Sequence, residues 1–179
     1  MVIPTMSTPA ARNTETGVRI THPNRDKPVV QATRATVILL LLASAALVLV
    51  ITLGGLEALE GVGPIAMQGV FILIYLVLAF YAARWNRGVL PVASALAVLL
   101  GTFALVAAPS WFERDKADFA QPALNSGLLG LLTLLVIPLQ ILVVVFAMRG
   151  FSQGWNVELE RRDPHAGSGD YGDAAPHPA

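Results

Sequence analysis

Residues Val37–Leu53 read VILLLLASAALVLVITL. The run contains no Asp, Glu, Lys, Arg or His, and only Ser44 and Thr52 break its apolar character. A helix rises 1.5 Å per residue, so about 20 such residues cross the roughly 30 Å hydrocarbon core of a bilayer. One run of this kind also suits a buried core helix. Three more follow: Ile65–Ala83 (IAMQGVFILIYLVLAFYAA), Val89–Ala108 (VLPVASALAVLLGTFALVAA) and Leu128–Met148 (LLGLLTLLVIPLQILVVVFAM), none with an ionisable acid or base. A chain of 179 residues has too little polar surface to cover four of them in water. The expectation is an all-α integral membrane four-helix bundle, with spans at about 37–54, 65–83, 89–108 and 128–148 inside a transmembrane domain of 36–150. Residues 1–35 are expected to form a disordered cytoplasmic tail. Residues 151–179 are expected to form a juxtamembrane segment and a second disordered tail.

Composition agrees. Charged residues make up 13% of the chain against about 25% in soluble domains, and mean hydropathy is +0.63. With no cysteine, disulfides, thiolate metal sites and Cys nucleophiles are excluded. A net charge of zero gives no footprint for nucleic acid.

Helix breakers mark the span ends. Gly54 and Gly55 follow the first run, Gly63 and Pro64 open the second, Pro109 closes the third, and Asn125 and Ser126 precede the fourth. Pro138 lies inside the fourth run and should kink it. Ala43-Ser44-Ala45 has the form of a signal-peptide cleavage site, but the apolar run continues well past it, so the first span is expected to stay uncleaved.

Lys and Arg in short loops set orientation. With four spans, the two tails and the 2–3 loop share a side, and there they carry ten basic residues, among them Arg25, Arg34, Arg84, Arg87 and Arg149. The opposite side has Arg114 and Lys116 only. Both termini are therefore expected in the cytoplasm of a cell with a plasma membrane, and the Ala-, Leu-, Val- and Gly-rich composition suggests a high-GC bacterial inner membrane. Trp85, Trp111, Trp155 and Tyr81 fall near span ends, where amphipathic rings anchor at headgroups.

Two flanking segments have some pattern. Ser110 with Glu113 resembles a capping box and predicts a short interfacial helix over Trp111–Phe119. Trp155, Val157 and Leu159 alternate, which suggests a short extended piece, either a juxtamembrane segment anchored by Trp155 or one that pairs with a partner protein or a symmetry mate.

Ionisable groups inside a membrane are the usual functional clue, and these spans have none. Proton relays, haem ligation and voltage sensing by this chain are thereby disfavoured, and no metal or cofactor is expected. The spans' amides and phenol remain: Gln68, Tyr75 and Gln140 are the candidate intramembrane polar contacts. They should face other helices, as polar glue or as the lining of a small site. Ala93, Ala97 and Gly101 recur every four residues, as do Ser126 and Gly130, the small-residue spacing that lets helix backbones approach. No phosphate-binding or hydrolytic motif is present, so the chain is not expected to be an enzyme. Two functions fit. One is a structural or accessory subunit that packs on a membrane-protein partner or a second copy within the lipid bilayer. The other is a transporter or channel for a neutral or lipophilic small molecule.

Overall fold

The first helix begins well before the apolar run. In the computed structural model, which describes residues 18–21, 24–59, 61–114, 122–155 and 159–162, α1 spans Pro28–Gly54. Pro28 stands in its first turn, where a missing N–H costs nothing. Sequence alone places the polar residues after it in a tail. They are helical because the bundle gives them partners: Thr33 is buried and accepts from Gln153 Nε2 at 2.9 Å, and Arg34 Nη2 donates to the Ala83 carbonyl at 2.5 Å.

A short 3-10 turn, Leu56–Ala58, leads to α2, Val62–Ala83. Gly61 precedes it at φ +87°, a conformation that favours glycine. Next come α3, Val89–Glu113, and α4, Ser126–Ser152. Asn125 caps α4, its side-chain oxygen accepting from the Gly127 and Leu128 N–H groups at 2.8 and 3.3 Å. All four helices are long and apolar enough to cross a membrane, so the chain is an all-α four-helix membrane bundle.

Two expectations about helix ends change. Pro109 does not close the third span, and α3 continues through it to Glu113. The last turn survives the lost hydrogen bond because its side chains are packed: Trp111 is buried and its ring lies against Gly55, while the Phe112 ring lies against Gly130. Trp111–Glu113 thus end α3 and do not open an interfacial helix. The Ser110 hydroxyl donates back to Ala107 at 2.8 Å instead of capping a new helix. The rest of that expected helix, 115–119, lies outside the described residues.

The chain divides into two units, 24–156 and the flanking segments 1–23 with 157–179. In the flanking unit, β1 (Val18–Thr21) pairs antiparallel with β2 (Leu159–Arg162), Val18 opposite Arg162 and Thr21 opposite Leu159. The strand begins at Leu159, where the extended piece expected over Trp155–Leu159 ends, and its partner is the chain's own N-terminal segment.

In the helical unit, α4 packs most closely on α3 and also on α1, and α1 packs on α2. Contacts between α2 and α3 are sparse. The order around the bundle is therefore α2–α1–α4–α3, with an open seam between the first and last. Each helix buries a narrow stripe, such as Val37, Leu41 and Val48 on α1 or Leu129, Val136 and Val143 on α4. Leu39, Leu53, Val106 and Leu131 point outward. That pattern suits a bilayer, where outward apolar surface has no water to avoid.

Candidate functional site

The polar residues of the spans meet in the bundle interior. Tyr75 on α2 and Gln140 on α4 are 1% and 2% exposed. The Tyr75 hydroxyl donates to Gln140 Oε1 at 2.7 Å, Gln140 Nε2 donates to Ser44 Oγ on α1 at 3.1 Å, and the Ser44 hydroxyl donates to the Leu40 carbonyl at 2.7 Å. Each bond in this chain runs from a donor to an acceptor, and one N–H of the Gln140 amide takes part in it. Two of the three sequence candidates, Tyr75 and Gln140, are thus brought together, and Ser44 joins them. The pairing spans three helices, so only the fold reveals it.

The α3 stripe backs this site. Ala93 and Ala97 are fully buried, and a Cβ built on Gly101 would sit 3.5 Å from Gln140 Cβ, ordinary van der Waals contact. Small side chains there let α3 lie close on α4. Ser126 is buried at the start of α4, and Gly130 leaves room for the Phe112 ring, which a Cβ would meet at 2.7 Å.

Gln68, the third candidate, lies apart. Its Oε1 meets the Thr52 hydroxyl, which also lies 2.7 Å from the Val48 carbonyl. The Thr52 hydroxyl has a single proton to share between the Val48 carbonyl and the Gln68 amide, so the two side chains make one bond across α1 and α2. Gln68 lines a cavity of about 90 Å³ to which all four helices contribute, with Phe71, Leu100, Ala104, Trp111 and Thr133 among its walls. A larger groove, about 610 Å³, runs between α1 and α4 over Ala43, Leu47, Leu135, Pro138 and Leu142 and is wholly apolar. Pro138 sits inside α4, as expected, and leaves the Leu134 carbonyl without its helical donor.

The opposite end of the bundle carries a second arrangement that sequence reasoning missed. Trp155, expected as a headgroup anchor, is fully buried, packed on Gly150 and edge-to-face on Trp85 at 5.8 Å. Trp85 itself adopts φ +62°, a left-handed conformation that costs an L-residue about 1–2 kcal/mol. The Arg34 guanidinium stacks on its ring at 4.2 Å, and Arg87 stacks on Phe151 at 4.2 Å. Asn24 Nδ2 donates to the Gly154 carbonyl at 3.1 Å, and Arg25 Nε donates to the Trp155 carbonyl at 3.3 Å. Here the arginines meet rings and carbonyls. Asn24, Thr33 and Gln153 lie outside the apolar runs, so nothing in the periodicity pointed to them.

Among the described residues no group of His, Asp or Glu gathers to hold a metal ion. No protein-family model matches the chain, and no curated protein or solved structure is found to resemble it.

Proposed function

We propose that the chain is a structural or accessory subunit of a membrane complex and not an enzyme, sitting in a plasma membrane with both ends of the bundle's polypeptide on the cytoplasmic side. The observation that carries this reading is the closed run of hydrogen bonds from Tyr75 through Gln140 and Ser44 to Leu40. A channel or carrier needs polar groups free to meet its cargo. Here the most deeply buried ones bond to each other and tie α1, α2 and α4 together. What the helices leave outward is apolar, and a bilayer offers such a surface only lipid or another helix. The excess of Arg and Lys at the Trp85 end supports the orientation.

The test is purification from native membranes in mild detergent, with the mass of the intact assembly measured directly. A complex of fixed stoichiometry, with a second protein or with further copies, is the expected result. A lone monomer overturns the reading, the more so if it passes neutral solutes across liposomes at a rate that Gln140→Leu changes. Orientation is read separately. The chain has no cysteine, so single cysteines at Val62 and at Asn86 report the two faces to an impermeant thiol reagent, and Asn86 should be the one protected in intact cells.

A further inference from the structure

We infer that the arginines around the α2–α3 turn hold the phosphate headgroup of an anionic phospholipid, in the leaflet at the Trp85 end of the bundle. The inference goes beyond the assembly reading and stands without it. Four observations carry it.

The first is charge without a counter-ion. At this end the described residues of the helical unit bring Arg25, Lys27, Arg34, Arg84, Arg87 and Arg149 together with a single acid, Asp26, which is exposed. Glu57 and Glu113 lie at the other end. Among the described residues no carboxylate pairs with Arg34, Arg84, Arg87 or Arg149.

The second is how the cations are held. The Arg34 guanidinium lies on the Trp85 ring and that of Arg87 on the Phe151 ring, both at 4.2 Å, and that of Arg84 lies over Phe80 at 5.3 Å. The Nε atoms of Arg34 and Arg87 are closed off from solvent, with no acceptor among the described residues. With Nε closed, the donors a ligand can reach are those of the Nη edge. A phosphate offers that planar edge two oxygens at once. A side chain already seated on a ring loses little freedom when the ligand arrives.

The third is the helix that follows. Arg87 stands two residues before α3, whose N-terminus carries the positive end of the helix dipole. No acid lies in the first turn of α3, and Gly88 at its cap makes no side-chain bond. A cation placed here is unfavourable until an anion joins it, and the anion is then attracted by both.

The fourth is depth, which selects a lipid over a soluble phosphate. Arg84 and Arg87 lie in the turn between two apolar helices, α2 ending at Ala83 and α3 beginning at Val89. Phe80 and Tyr81, 55% and 44% exposed, present apolar surface beside Arg84. An amphiphile with a negative head meets charge and hydrocarbon together at such a boundary, whereas a free phosphate meets charge alone.

The full chain in mild detergent is titrated with phosphatidylglycerol or with phosphatidylcholine of the same acyl chains, and the lipids retained are counted by native mass spectrometry. The choline cation neutralises its own phosphate, so phosphatidylglycerol should be held about tenfold more tightly and saturate at a fixed number of copies. Arg84→Gln and Arg87→Gln should each weaken it about tenfold, the loss of one charge-assisted bond. Arg87→Lys keeps the charge but neither the flat stack nor the planar fork, and should weaken it about threefold. Lys27→Gln and Arg149→Gln remove the same charge from exposed side chains that rest on no ring among the described residues. They should leave the affinity within about twofold at physiological salt. Helical circular dichroism confirms that each variant is folded. Equal retention of the two lipids by the native chain overturns the inference whatever the variants do. So does a loss in Arg149→Gln as large as in Arg87→Gln, which makes the effect one of net charge. Displacement by glycerol phosphate at the same concentration as the lipid also overturns it, because the ligand is then a soluble phosphate.

Discussion

The bond between Tyr75 and Gln140 should be measurable by a double-mutant cycle. Tyr75→Phe removes the hydroxyl and leaves Gln140 Oε1 without its donor. Gln140→Leu leaves the Tyr75 hydroxyl bare and also breaks the bond to Ser44. Hydrogen bonds between membrane helices average about 0.6 kcal/mol and reach about 1.7. The 2.7 Å separation and near-complete burial of both partners place this one in the upper part of that range. Tyr75→Phe should then cost about 1–1.5 kcal/mol and Gln140→Leu about 2 kcal/mol, since it removes two bonds. The double variant should cost about 1 kcal/mol less than their sum, because the group each single variant strands is gone. The assay is reversible unfolding in mixed micelles, followed by circular dichroism as denaturing detergent replaces mild detergent. If the two costs simply add, within about 0.3 kcal/mol, the two side chains are not bonded in the membrane. The closed polar chain, and the assembly reading that rests on it, would then fail.

Other substitutions separate close packing from loose packing. Gly150→Ala should destabilise by about 1–3 kcal/mol in the same assay, because its Cβ would meet Trp155 at 2.9 Å and Leu90 at 3.1 Å, both fully buried and unable to give. Gly101→Ala should be neutral or stabilising by up to about 1 kcal/mol, since its Cβ meets only Gln140 at 3.5 Å and alanine is the better helix former. Asn125→Ala should cost about 0.5–2 kcal/mol and Asn125→Asp much less, as the carboxylate still accepts from the first-turn N–H groups. Arg34→Lys should cost about 0.5–2 kcal/mol despite the retained charge, because a lysine cannot both lie flat on Trp85 and reach the Ala83 carbonyl. A drop in intrinsic tryptophan polarisation would locate that loss at the Trp85 end.

The spans were legible because hydrocarbon leaves the backbone few solutions, and runs such as Val37–Leu53 satisfy one of them without help. The small-residue stripe of Ala93, Ala97 and Gly101 was legible for a related reason: close approach requires a missing side chain whatever the partner helix is. What sequence did not show was decided by neighbours distant along the chain. Pro28–Thr36 are helical because Gln153 donates to Thr33 and the Ala83 carbonyl accepts from Arg34. Pro109 fails to end α3 because Gly55 and Gly130 leave room for the rings beyond it. Trp155 is buried and not anchored at a headgroup because Gly150 admits it. Of the site, Gln68, Tyr75 and Gln140 could be singled out by their cost in lipid. That two of them bond each other while the third faces a cavity depends on which helices are adjacent, and no period in the sequence encodes that.

The run of bonds from Tyr75 to Leu40 also orders events during synthesis. Ser44 and Tyr75 belong to the first two spans, but the residue that joins them lies 96 positions after the one and 65 after the other. Until the fourth span enters the bilayer, the Tyr75 phenol has lipid around it and no acceptor from Gln140. A ribosome stopped short of residue 140 leaves that phenol bare, whereas a complete chain conceals it. Completion of this protein therefore has a chemical signature at the membrane's interior, one that distinguishes a finished copy from a truncated one before any surface feature does.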